Sequence, residues 1–210
     1  MGLFFTYVFV GLAIAMPVGT ITVEMSKQGL KNGFLHGWAV GLGGMTVDFI
    51  LIAALYLGFA SILQQPFIQV PMWLVGAIFL LFIGLDSIKN ADKDITPLGE
   101  KPKKSLISSY RNGFLVAISP GNIAFWLSVF GTVLTNSYDH KEPMLFFLLA
   151  SGVLTGIVIH DIGLLTILTY TRKIMSRTLI KSISIIAGFI LIGFAGYFIY
   201  EFIVGISNFI

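Results

Sequence analysis

The chain of 210 residues contains no cysteine. That excludes disulfides, thiol–disulfide relays and thiolate metal ligation. Charge is scarce, at 11% of residues, against about 25% in an ordinary soluble domain. Long polar segments are scarce too. The longest covers about residues 90–110 and is too short and too rich in Lys and Pro to fold alone. There are three histidines, and none form the helical pair of a metalloprotease; no metal site is expected. No Gly-rich loop followed by Lys-Ser or Lys-Thr is available to cradle phosphates, so ATP is not implied. Nothing here reads as an enzyme, and no cofactor is called for.

What is abundant is apolar length. Hydrophobic residues make up 56% of the chain and mean hydropathy is +0.92. Six apolar stretches run over about residues 3–23, 35–63, 71–88, 113–134, 144–170 and 183–206. Each approaches or exceeds the ~20 residues that cross a bilayer's hydrocarbon core. The first lacks a basic n-region and a small-residue cleavage site, so it reads as a retained helix rather than a signal peptide. Of the 13 Lys and Arg, 12 fall between stretches one and two, three and four, or five and six, and only Lys141 falls on the other side. The positive-inside rule then places both termini outside. Topology accounts for the pI near 9.1, and nucleic acid is not an expected partner. The expectation is an all-α polytopic membrane protein seated in a lipid bilayer.

The two halves resemble each other. Helix three carries Gly76 and Gly84, and helix six carries Gly188 and Gly196. Helix one has Pro17-Val18-Gly19, and helix four has Pro120-Gly121-Asn122. Helix two is Gly-rich and carries Asp48; helix five is Gly-rich and carries His160 and Asp161. Three helices per unit is an odd number, so the second unit must be inverted, as in many secondary transporters. Six transmembrane helices as two inverted three-helix repeats are therefore expected. Residues 1–90 form the first repeat, 91–110 a basic cytoplasmic linker and 111–210 the second repeat. A homo-oligomer is compatible with this plan.

A proline inside an apolar run removes a helical hydrogen bond, and a nearby glycine eases the departure from helical angles. Lipid cannot satisfy the freed groups, so such a break faces protein or water. The helix restarting after it offers free N–H groups and partial positive charge to an anion. Pro17, Gly19, Thr20, Thr22, Pro120 and Asn122 are the expected substrate-binding residues on this ground. Asp48, about 13 residues or ~20 Å into its helix, and Asp161 lie deep in the membrane. Intramembrane carboxylates are costly and by default functional, so both are candidates for ion coupling. His160 joins them as a candidate, with packing as its other reading.

These residues resemble those of the lysine exporter (LysE/RhtB-type) family of small bacterial amino-acid exporters. The resemblance lies in Pro17-Val18-Gly19, in the ladder Gly29, Gly33, Gly37, Gly41 leading to Asp48, and in Ser119-Pro120-Gly121-Asn122. The family usually has Pro-Gly-Pro and Asn-Pro at the two breaks. The resemblance implies a secondary transporter exporting amino acids or related small zwitterionic metabolites, by ion (proton) antiport. An inorganic-cation transporter on the same scaffold and a non-transporting membrane scaffold are the alternatives.

Overall fold

The computed structural model describes residues 2–16, 19–57, 65–92, 102, 104–118 and 143–207. Seven helices lie within them: α1 (Gly2–Ala15), α2 (Thr20–Asn32), α3 (Phe34–Tyr56), α4 (Pro66–Lys89), α5 (Leu106–Ala117), α6 (Pro143–Arg172) and α7 (Arg177–Ser207). The described residues contain no strand. Helices α3, α4, α6 and α7 are each long and apolar enough to cross a membrane. Phe49, Phe82, Ile167 and Phe189 project outward from them, each more than half exposed, a surface that hydrocarbon satisfies and water does not.

The first apolar stretch is broken where a break is expected. α1 stops at Ala15, α2 starts at Thr20, and the two meet at 79°. The residues after the break depart from expectation. Lys27 and Lys31 belong to no solvated loop, because α2 continues to Asn32 and both lysines are buried. A single residue, Gly33, joins α2 to α3, at φ 91°. Only glycine enters that region without steric cost, which is why so short a turn can fold back here. Arg172, expected in the loop before the last helix, is also buried and donates to the Lys31 carbonyl at 3.1 Å. The helix after the expected linker of 91–110 starts inside that range. α5 begins at Leu106 and is capped by Ser105, whose hydroxyl accepts from the Ser108 N–H at 3.2 Å.

Close helix crossings hold the bundle together, and each is built on glycine. α1 crosses α6 with Gly11 against the Val153 carbonyl and Gly156 against that of Val8. α3 crosses α5 with Gly43 against the Tyr110 carbonyl and Gly113 against that of Val40. α4 crosses α7 reciprocally. A Cβ on Gly84 would stand 2.9 Å from the Gly188 carbonyl, and one on Gly188 would stand 2.8 Å from that of Gly84. In a membrane, where apolar surface gains little by leaving lipid, such backbone approach supplies much of the packing energy. One core gathers Tyr7, Leu51, Ala117, Leu149 and Val153 from α1, α3, α5 and α6; a second gathers Val23, Leu80, Val116, Leu191 and Phe198 from α2, α4, α5 and α7. The slender, polar α2 lies among α3, α5, α6 and α7.

Candidate functional site

The break positions the site. α2 opens with Gly19 as its N-cap, in extended backbone (φ −104°, ψ −177°), whose carbonyl accepts the Val23 N–H at 3.0 Å. Glycine has no side chain with which to cap the first turn. Thr20 is buried and Thr22 half-buried. Gly19 is half-buried, and among the described residues no atom lies within 4 Å of where its Cβ would stand. Pro17, Pro120 and Asn122 lie outside the described residues, and so does the expected meeting of the two breaks.

α2 and α3 run antiparallel along the glycine ladder. Gly37 lies against Gly29, Gly41 against Met25 and Gly44 against Ile21. Residues 37, 41, 44 and 48 share one helix face, at steps of four, three and four. The register therefore brings Asp48 level with the amino end of α2. Asp48 is 5% exposed. A carboxylate at that level complements the positive end of the helix dipole.

Asp161 approaches the same hairpin from α6. It is 7% exposed, and its Oδ2 lies 3.3 Å from the Cβ position of Gly41; the Met25 sulfur lies 3.2 Å from the same point. The missing side chain at Gly41 is what admits it. Adjacent helix positions need not touch, yet His160 Nδ1 lies 3.1 Å from Asp161 Oδ1. His160 is partly buried at this contact. Asp48 and Asp161 thus both lie along the α2–α3 hairpin, Asp161 at the level of Gly41 and Met25 and Asp48 about 10 Å further along α3 at 1.5 Å per residue, toward the start of α2.

The opposite flank of α2 carries groups that sequence reasoning passed over. Glu24 is 0% exposed and forms an ion pair with Lys27, which is 3% exposed. Glu24 Oε1 also accepts from Gln28 Nε2 at 2.8 Å and from Asn112 Nδ2 of α5 at 3.2 Å. Lys27 Nζ donates to Ser87 Oγ of α4 at 2.7 Å. Further along α2, Asn32 donates to Gln28 at 2.9 Å, and Lys31 Nζ donates to the Asn90 carbonyl at 2.8 Å. The signal was available in the sequence. Glu24, Lys27, Gln28 and Lys31 are spaced as one helix face, but charge places Lys27 and Lys31 in a loop and Glu24 at a solvated helix end.

The model of the LysE type translocator family matches residues 12–202. YcgF of Bacillus subtilis (strain 168), named as a candidate amino acid efflux protein, is 31% identical over 202 residues, covering 96% of this chain and 97% of that one. The chemotactic transduction protein ChpE of Pseudomonas aeruginosa PAO1 is 23% identical over 153 residues, covering 70% and 74%. No solved structure matches significantly. Matched over nearly its whole length and carrying four helices long and apolar enough to cross a membrane, the chain belongs to the LysE type translocator family.

Proposed function

We propose that the protein is a secondary active exporter of amino acids or related small zwitterionic metabolites, working by proton antiport. The observation that carries this reading is the broken helix α1–α2, with Asp48 level with the restart and Asp161 against its flank. Efflux of amino acids is what the name of YcgF says of that relative. In this reading Gly19, Thr20 and Thr22 at the start of α2 receive the substrate, together with Pro17, Pro120 and Asn122. Asp48 and Asp161 take up and release the coupling proton, with His160 as the partner of Asp161. The substrate carboxylate is drawn to the helix terminus and its ammonium to the two aspartates.

The proposed scaffold is two inverted three-helix repeats in a plasma membrane, both termini outside. The crossings support it. Exchanging halves maps Gly11 against Val153 onto Gly113 against Val40, and Gly156 against Val8 onto Gly43 against Tyr110. The third helices of the two units, α4 and α7, meet each other through Gly84 and Gly188. The exchange that maps Val40 onto Val153 and Gly43 onto Gly156 maps Asp48 onto Asp161. Inverted repeats bring such equivalent positions together near the midplane.

Growth of a strain lacking the gene, with and without a plasmid copy, in toxic concentrations of amino acids, dipeptides and divalent cations tests the reading. Protection confined to amino acids or their dipeptides supports it. Protection against cations alone replaces it with the hard-cation alternative.

A further inference from the structure

An ion pair without exposure inside a membrane-crossing bundle needs a reason. Its attraction seldom exceeds the cost of stripping two charges of water, and well-packed apolar residues of similar size often serve stability as well or better. Charges at membrane depth are by default functional. Counting along α3, Glu24 lies opposite a point about 12 Å from the start of that helix at 1.5 Å per residue. It is therefore well inside the bundle, one turn from Lys27, and the pair meets α4 and α5 through Ser87 and Asn112.

We infer that Glu24 and Lys27 form a second binding station for the substrate, in which the ammonium of a free α-amino acid takes the place of the Lys27 ammonium on Glu24 and the substrate carboxylate takes the place of Glu24 on Lys27. This rests on the amino-acid export reading and adds to it a site on the other flank of α2. The chemistry matches group for group. The resident pair is one carboxylate and one ammonium in contact, and so are the charges of a zwitterion. The exchange leaves no charge unpaired and moves no net charge. The surroundings are already polar on three helices. Gln28 and Asn112 donate to Glu24, and Ser87 accepts from Lys27, so each group keeps a partner while the ion pair opens. A simple cation would satisfy Glu24 and leave Lys27 unpaired, and a simple anion would do the reverse. The station therefore selects molecules carrying both charges.

The test is competition for transport in proteoliposomes of the full-length protein. The probes are the twenty protein L-amino acids, each with its methyl ester, which lacks the carboxylate, and its N-acetyl derivative, which lacks the ammonium. For the amino acids that the wild type moves, both derivatives should compete at least tenfold more weakly. Lys27→Gln should narrow the methyl-ester gap to within threefold, and Glu24→Gln should narrow the N-acetyl gap. Because either single variant leaves a buried charge alone, the swap Glu24→Lys with Lys27→Glu provides a paired control. It should reach the membrane at normal levels and discriminate against both derivatives, since it still offers one carboxylate and one ammonium. Derivatives that compete as well as the free amino acid in the wild type overturn the inference. So do unchanged gaps in the single variants. A wild type that moves amino acids but fails these arms sinks the station alone; one that moves none sinks the export reading as well.

Discussion

The Oδ2 of Asp161 on α6 lies 3.3 Å from the point where a side chain would begin on Gly41 of α3. The contact joins the carboxylate of one helix to a gap in another, with Met25 of α2 on its border at 3.2 Å. Gly41→Leu should displace Asp161 and lower export at least tenfold. Gly163→Leu, at a position with no described atom within 4 Å of the new Cβ, should stay within twofold. Export rate normalised to the amount of protein in the membrane compares the two.

The reciprocal approach of Gly84 and Gly188 makes a stability prediction. A Cβ at either would meet a carbonyl oxygen at 2.9 or 2.8 Å, and backbone cannot yield as a flexible side chain does. Gly84→Ala or Gly188→Ala should cost about 1–3 kcal/mol, the usual scale of overpacking. Gly193→Ala and Gly196→Ala, both in open space, should cost nothing or stabilise α7 slightly. Thermal melting in detergent, followed by retention of monodisperse protein, measures the difference.

How far the sequence spoke depends on which property one asks about. Long apolar runs led to α3, α4, α6 and α7 within a few residues at most ends, because hydropathy and length report the bilayer directly. Pro17 and Gly19 announced the break, because their effect on the backbone is local. α2 was hidden. Lys27 and Lys31 read as loop because charge ordinarily marks water, and the partners that meet them, Ser87 of α4, Asn90 just after it and Arg172 of α6, are far off in sequence. Asp48 and Asp161 were legible as carboxylates within apolar helices, and both are buried. The gap at Gly41 that receives Asp161 was not, since it depends on how α3 and α6 are turned toward each other.

Topology rests on the distribution of Lys and Arg, and it holds or fails independently of any site. Reporter fusions at Asp94 and at Asn208 should report opposite compartments, with Asp94 cytoplasmic. A cytoplasmic report from Asn208 would remove the inverted repeat along with the orientation.

Open space at Gly19 gives the break a test of its own. With no described atom within 4 Å of its Cβ position, Gly19→Leu should fold normally and still block export by filling the space before α2. Full activity in that variant would mean that the break only bends the helix.

The central claim is that two membrane-buried carboxylates couple a proton gradient to amino-acid movement. Purified protein in proteoliposomes with an imposed pH gradient tests it directly, with radiolabelled amino acid tracked across the membrane. The wild type should concentrate the amino acid against its own gradient and lose that ability when a protonophore is added. Asp48→Asn should abolish concentration, and Asp161→Asn should reduce it at least tenfold, with both variants incorporated at normal levels. Concentration at the wild-type rate by both variants, or transport in the wild type that ignores the pH gradient, would contradict the account.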